Sequence, residues 1–146
     1  MDHELPDIAK AAARIRAVIE QSVQRFARKD RYSSGADLRN IAREIVRLTL
    51  LAWREPSRRT LRIRELSVAI DGLKIDLQLA KDVHAFRSDR EFEMVGRLVK
   101  GLGAQCGGWL NKELERQGQN GRGTKTPAQR TRILSGRSAS PQGANP

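Results

Sequence analysis

The stretch FEMVGRLVKGLGAQCGGWL, residues 92–110, decides the fold of this chain. Its apolar residues recur in steps of three and four positions, which places them on one face of a helix. They are Phe92, Val95, Val99, Leu102, Cys106 and Trp109. Gly96, Gly103 and Gly107 border that face, although a glycine inside a helix costs roughly 0.8–1 kcal/mol relative to alanine. The pattern therefore predicts a tightly packed bundle helix in which another backbone comes close to the glycine edge.

The composition of the chain predicts a soluble protein with a polyanionic partner. Of its 146 residues, 38% are hydrophobic, which is enough for one small core. No run reaches the ~18 apolar residues of a membrane helix, and the first residues lack the features of a signal peptide. The single cysteine, Cys106, excludes an internal disulfide and favours a cytoplasmic location. The net charge of +11 exceeds the magnitude of about 2–8 that is usual for a small domain, which favours nucleic acid over a mere solubility surface.

Four segments of the chain have the apolar periodicity of helices and are separated by short polar breaks. They cover about residues 6–27, 36–53, 61–83 and 89–117. Pro56 ends the second segment because proline disrupts a helix interior, and Ser88 with Glu91 has the spacing of a capping box. Long helices with short connections predict an all-α, antiparallel up-down four-helix bundle over residues 1–117.

The composition changes abruptly at Gly118. Residues 118–146 contain five basic residues, no acidic residue and many Gly, Ser, Pro and Gln residues. Because such a segment buries too little apolar surface to offset its ordering entropy, it is predicted to be a disordered basic tail. Nonspecific binding of nucleic acid and a simple solvated end are both open for it.

The third helical segment carries apolar residues on two opposite faces. One face is the predicted core face, and the other consists of Leu61, Val68, Ile75, Leu79 and Val83. A surface helix of a monomer is polar on its outer side, so the second face predicts a homo-oligomer. The alternative is a third helix that is buried centrally within one bundle. The residues predicted to form the oligomer interface are Leu50, Leu51, Val68, Ile75, Leu79, Gly101 and Gly108.

Basic residues follow the helices in an ordered way. Arg39, Arg43 and Arg47 are spaced by four along the second segment, and like charges that close repel one another unless something offsets them. A phosphate backbone is one such offset, and a solvated face that Glu44 and Glu55 partly neutralise is the alternative. The residues predicted to bind nucleic acid are Arg39, Arg43, Arg47, Arg54, Arg58, Arg59, Arg62, Arg64, Lys74, Lys81, Arg97 and Lys100.

Signals of catalysis and of metal binding are weak. His3 and His84 do not form a ligand pair, and no C-x-x-C, H-x-x-x-H or E-x-x-H spacing occurs in the chain. Cys106 lies on the apolar face of its segment, which is typical of a small buried side chain rather than a nucleophile. We therefore expect no enzyme, no metal site and no cofactor.

Three stretches together resemble one protein family. They are RFARKDRYSSGADLR (25–39), LKIDLQLAKDVHAF (73–86) and the segment 92–110. They resemble the four-helix-bundle proteins typified by the accessory variability determinant (Avd) of diversity-generating retroelements, to which proteins encoded in intervening sequences of 23S rRNA genes are related. The resemblance covers about residues 6–114 and excludes the tail.

The resemblance implies a barrel-like homopentamer that associates with a reverse transcriptase and with template RNA or cDNA. One basic position of the family falls on Lys74 here, whereas the next falls on Gln78, and Lys81 lies one turn further on. The expected function is that of a non-catalytic accessory protein that supports mutagenic reverse transcription. The alternative is a structural or interaction bundle of the 23S rRNA intervening-sequence type, with no retroelement partner.

Overall fold

A computed structural model describes the backbone of residues 5–120 and the side chains of residues 5–118. This part of the chain is all-helical and contains no strand, which is compatible with the predicted helical bundle. The helices are α1 (Asp7–Gln24), α2 (Arg28–Arg31), α3 (Ser34–Arg54), α4 (Arg59–Asp82) and α5 (Asp89–Asn120), and a 3-10 turn spans Pro56–Arg58. None of these helices is long and apolar enough to cross a membrane.

The long helices follow the predicted segments closely. The largest differences in bounds are of three residues. The first helix ends at Gln24, whereas the sequence predicts a helix to residue 27, and α5 continues through Asn120, whereas the sequence predicts an end at residue 117. The short helix α2 lies within the first predicted break, so the polar break there is partly helical. Of the tail predicted over 118–146, residues 121–146 lie outside the described residues.

Contacts divide the chain into two units, residues 1–111 and 112–146. In the first unit, apolar side chains from α1, α3, α4 and α5 form one core cluster, because each of these helices has an apolar stripe to bury. Its fully buried members include Val23, Ile45, Leu66, Leu73 and Val99. In the second unit, the described residues are the last turns of α5, where Arg116 donates a hydrogen bond to the carboxylate of Glu113.

The C-terminal end of α4 is closed by a pair of backbone hydrogen bonds. The amide of Ala85 donates to Ala80 O at 2.9 Å, and the amide of His84 donates to Lys81 O at 2.9 Å. This pair of bonds is the Schellman motif, in which the residue after the helix C-cap adopts a left-handed conformation. That residue is His84, and its φ is 61°. Ala80 and Ala85 are both buried, so the apolar contact that accompanies this arrangement is available.

The predicted capping box at the start of α5 is only half formed. The Ser88 hydroxyl accepts a hydrogen bond from the amide of Glu91 at 3.1 Å, as predicted. The carboxylate of Glu91 does not return the bond. Its Oε2 accepts instead from the Ser22 hydroxyl at 3.0 Å and from Arg25 of the chain that follows α1, and its buried Oε1 has no hydrogen-bond partner among the described residues. The side chain that the sequence assigns to a local cap therefore makes a long-range contact.

The glycine edge of α5 does not receive another backbone, so the close approach predicted there is wrong. A Cβ placed at Gly96 or Gly107 meets no atom within 4 Å, and at Gly103 it meets Lys74 Nζ at 3.6 Å. Close approaches occur at Gly72, where a Cβ would lie 2.8 Å from the flexible end of Ile41, and at Gly35, which the sequence assigns to a loop. Gly35 is the more crowded of the two. A Cβ there lies 2.6 Å from Val23 Cγ1 and 3.2 Å from Asp30 O, distances at which something must shift. Gly35 thus permits the contact of α3 with the end of α1.

Candidate nucleic-acid interface

The arginine row along α3 is partly neutralised by carboxylates of the same chain. Arg39 donates to both carboxylate oxygens of Glu20, at 2.8 and 2.9 Å. Arg47 donates to both oxygens of Glu44, at 2.9 and 2.6 Å. In each case the paired guanidinium lowers the pKa of the glutamate, chiefly through the hydrogen bond. Arg43 is exposed, and its side chain has no such partner among residues 5–118.

The connection between α3 and α4, taken together with the helix ends that flank it (residues 54–64), contains five arginines. Two of them are occupied by the fold itself. Arg59 donates to Ala52 O at 2.7 Å and to Trp53 O at 2.8 Å, so it binds carbonyl groups that the end of α3 leaves open. Arg62 donates to Glu55 at 3.0 Å and to Glu65 at 3.1 Å, and its side chain is 18% exposed. Both were predicted to bind nucleic acid, and the structure gives each of them intramolecular partners.

Three other arginines of the same connection are exposed. They are Arg54 at the end of α3, Arg58 in the 3-10 turn and Arg64 in the second turn of α4. In the described part of the chain, none of their guanidinium groups has an ion pair or a hydrogen bond. Of the five arginines of this connection, two therefore bind carbonyl or carboxylate groups of the chain, and three are exposed without such a partner among residues 5–118.

The predicted basic residues of α4 and α5 lie on a different part of the surface. Lys74 is exposed and its Nζ lies near Gly103, while Lys81 Nζ lies 5.0 Å from the ring centroid of Phe92. Arg97 and Lys100 are exposed on α5, and no carboxylate pairs with either one within residues 5–118. Phe92 in turn packs edge-on against Phe86, with ring centroids 5.6 Å apart.

The second apolar face of α4 is exposed in the single chain, as the sequence predicts. The exposed fractions are 45% for Leu61, 71% for Val68, 59% for Ile75, 55% for Leu79 and 49% for Val83. We call these residues the outer stripe. No described side chain of this chain covers them, so the alternative of a centrally buried helix is wrong for the single chain.

The other predicted interface residues differ in their exposure. Leu50 and Leu51 of α3 are half-buried. Gly101 and Gly108 of α5 are exposed, and a Cβ at either position meets no atom within 4 Å. The glycine backbone on the outside of α5 is therefore open, and the two leucines contribute less exposed surface than the outer stripe.

Several pairings that shape this surface leave no local signal in the sequence. Glu20 and Arg39 are brought together from α1 and α3, and Glu91 reaches Arg25 from α5. The carboxyl of Asp76 has a raised pKa because burial disfavours its charge, and the carboxylate of Asp37 on α3 adds to the effect. Only the opposite charges of neighbouring helices, read with a known packing order, would have identified the two ion pairs, and the approach of the two aspartates has no such signal.

Cys106 is the buried side chain that the sequence predicts, with 2% of its surface exposed. Its Sγ donates to Ile63 O at 3.7 Å. Burial, with a smaller contribution from the charge of Asp71, raises the pKa of the thiol to about 11. The group is therefore a thiol rather than a reactive thiolate at neutral pH. Within the described residues, no group of three or more His, Cys, Asp or Glu side chains is placed to hold a metal ion.

Comparison of the chain with protein-family models, with curated proteins and with solved structures finds no match in any of the three.

Proposed function

We propose that this chain is a non-catalytic accessory protein of a diversity-generating retroelement. In this role it assembles with copies of itself and binds the reverse transcriptase of the element and its template RNA or cDNA. The observation that carries the proposal is the order of the three resembling stretches, which fall on the α1–α3 connection, on the second half of α4 and on α5. The reverse transcriptase follows from the resemblance alone, whereas polyanion binding and self-association have separate support.

Contacts between neighbouring helices support an antiparallel up-down bundle as part of the proposal. Ile63, early in α4, accepts a hydrogen bond from Cys106, late in α5, whereas Lys81 near the end of α4 lies over Phe92 near the start of α5. For α1 and α3, Arg39 meets Glu20, and the earlier residue Gly35 meets the later residue Val23. The two helices therefore run in opposite directions. Neighbours that run in opposite directions are what short connections favour.

Self-association is supported by the outer stripe and by the open outer face of α5. Val68 and Ile75 present bulky aliphatic groups, while Gly101 and Gly108 leave space. The outer stripe has the exposed Asp71 and Asp82 of α4 nearby and Arg64 one turn before Val68, whereas the outer face of α5 carries Arg97 and Lys100. Packing α4 of one copy against α5 of the next, from Val68 onward, joins complementary shapes and charges and leaves Arg64 at the edge of the contact. Such a head-to-tail contact produces a closed ring when the rotation permits; a stoichiometry of five comes from the resemblance.

The mass of the protein in solution tests self-association. We expect the wild-type chain to form an oligomer, and Val68→Asp with Ile75→Asp to dissociate it, because burying two carboxylates in an apolar contact is strongly unfavourable. The matched control is Gln21→Asp with Ser67→Asp, which adds the same charge at two exposed polar positions. Light scattering at several concentrations measures the mass. A monomeric wild type, or a control that dissociates equally, would contradict the proposed interface.

Two further observations test the retroelement role. We expect a reverse transcriptase gene with paired template and variable repeats beside the gene for this chain. We also expect the purified chain to bind that reverse transcriptase in a pull-down, and to bind RNA with an affinity that falls steeply between ~50 and ~200 mM salt. Absence of the repeats together with absence of binding to the polymerase would refute the role.

The alternative function is a structural or interaction bundle of the 23S rRNA intervening-sequence type. The pairing of Arg39, Arg47 and Arg62 with carboxylates favours it, because arginines that already hold a carboxylate can keep a protein soluble without binding nucleic acid. This alternative predicts an oligomer that ignores RNA and DNA at physiological salt. The same binding measurement therefore separates the two functions.

A further inference from the structure

We infer that the connection between α3 and α4 binds the phosphodiester backbone of a nucleic acid, through Arg54, Arg58 and Arg64. We call these three residues the junction arginines. The inference rests on the proposed polyanion binding and goes beyond it, because it assigns that binding to one end of the described helices and not to the arginine row of α3.

The first argument is the occupancy of the guanidinium groups. Arg39 and Arg47 of the row each hold a carboxylate through two hydrogen bonds, so a phosphate would have to displace that carboxylate before it could bind. The junction arginines are exposed and have no carboxylate or carbonyl partner among residues 5–118. A phosphate that reaches them exchanges only water and counterions, which is the favourable exchange that drives binding to nucleic acid.

The second argument is the position of these charges relative to α4. The first turn of α4 contains no acidic residue, and Arg58 occupies its N-cap position without a side-chain capping hydrogen bond. A helix N-terminus carries a partial positive charge of roughly half a unit, so cations there oppose the stability of the helix. The local preference is for Ser, Thr, Asp or Asn at such a position. The arrangement thus weakens the helix start and concentrates positive potential at the surface, which suits an anionic ligand.

The third argument is that Arg59 and Arg62 give the connection a fixed shape. Arg59 ties the start of α4 to carbonyls of α3, and Arg62 bridges Glu55 and Glu65. The junction arginines therefore extend from a braced turn, which limits the ordering cost of binding to their own side chains. Guanidinium groups match phosphate oxygens through paired hydrogen bonds, so a phosphodiester is the ligand chemistry that these residues fit. Contacts of this kind carry no direct sequence information.

The experiment compares two triple variants that lose the same charge. One is Arg54→Gln, Arg58→Gln, Arg64→Gln, and the other is Arg39→Gln, Arg43→Gln, Arg47→Gln. Affinity for a labelled single-stranded RNA and for a duplex DNA of equal length is measured by fluorescence anisotropy between ~50 and ~200 mM salt. Comparison of the two probes identifies which nucleic acid supplies the phosphodiester.

For the junction variant we expect binding at least tenfold weaker at ~100 mM salt, and a slope of log affinity against log salt that is about 2 to 3 smaller in magnitude, since each phosphate contact contributes about 0.7–0.9. For the row variant we expect the slope to change by less than about 1, because of these three arginines only Arg43 has no carboxylate partner among residues 5–118. Single replacements of the junction arginines, each expected to reduce the slope by about 0.7–0.9, keep the test valid if the triple variant does not fold.

The outcomes separate this inference from the function on which it rests. A wild-type chain that binds neither probe at ~50 mM salt would overturn both polyanion binding and the junction site. A wild-type chain that binds, with a junction variant that binds equally well or a row variant that loses more, would overturn the junction site alone. Circular dichroism of each variant confirms that helix content is unchanged.

Discussion

The two faces of α4 have nearly the same aliphatic composition and opposite surroundings. On the inner face, Leu66 and Leu73 are completely buried, whereas on the outer stripe Val68 is 71% exposed and Ile75 is 59% exposed. The apolar periodicity of the sequence marks both faces and does not rank them. The difference teaches that one face stabilises the fold of the single chain, and that the other is available to stabilise a contact between chains.

The largest effect that tests this comparison is the removal of a core side chain. We expect Leu73→Ala to lower the free energy of unfolding by about 2–5 kcal/mol, because it leaves a cavity and removes buried apolar surface. Val68→Ala on the outer stripe is expected to stay within about 0.5 kcal/mol of the wild type at low protein concentration. Urea denaturation measures both variants. Equal losses that grow with protein concentration would show that the outer stripe is covered by a second copy.

The C-terminal end of α4, where both faces stop, offers a smaller effect of opposite sign. His84 has a φ of 61°, a conformation that glycine adopts without the steric cost of a Cβ. We expect His84→Gly to raise the free energy of unfolding by about 0.5–1 kcal/mol, and His84→Ala, which keeps a Cβ, to give no gain. Thermal melts measure the change. A loss of stability in the glycine variant would contradict the left-handed geometry of this residue.

Asp76 tests the border between the two faces and gives the smallest expected effect. Its pKa is raised from the ordinary value of 3.8, so the folded state favours the protonated form and the ionised carboxylate weakens the fold at neutral pH. We expect Asp76→Asn to gain less than about 1 kcal/mol at pH 7, as for other partly exposed charges. The gain should shrink as the pH falls through the raised pKa and vanish below 3.8, where both proteins are neutral at this position.

The exposed Asp71 on the same helix provides the control for that measurement, since Asp71→Asn removes the same charge without the same burial. A gain from Asp76→Asn that persists in strong acid would show that lost packing or hydrogen bonding, and not ionisation, separates the two proteins. A gain in stability that increases with protein concentration would show that Asp76 also lies in the contact between copies that the outer stripe is proposed to form.

The helices could be predicted from the sequence because their signals are local. Pro56 ends α3, the apolar period of 92–110 marks α5, and Ser88 begins α5 with the predicted hydroxyl cap. The glycine contacts could not be predicted, because a close approach depends on which residue of another helix lies opposite. Gly35 is crowded by Val23 and Asp30, while Gly96 and Gly107 of α5 are open and Gly103 has only ordinary contacts with side chains of α4.

The candidate site divides in the same way. The sequence identifies which residues are basic, places Arg39 and Arg47 on one side of α3, and offers Glu44 as a local partner three residues before Arg47. It does not show that Glu20 of α1 holds Arg39. It likewise groups Arg54 and Arg62 within one connection, although only the second is engaged by carboxylates in the described residues. Opposite charges far apart in sequence meet only after the helices have packed, so a charge count overstates the cations available to a ligand.

The sequence by itself determined that the described chain is helical, where its long helices lie, which side of each helix is apolar, and that the net charge is +11. These properties depend on periods of three to four residues and on composition, which no tertiary contact alters. Only the tertiary structure decided which face of α4 is buried, which glycine receives a neighbour, and which arginines remain without a carboxylate. Those outcomes depend on residues of different helices meeting in space, and the packing of the helices sets which residues meet.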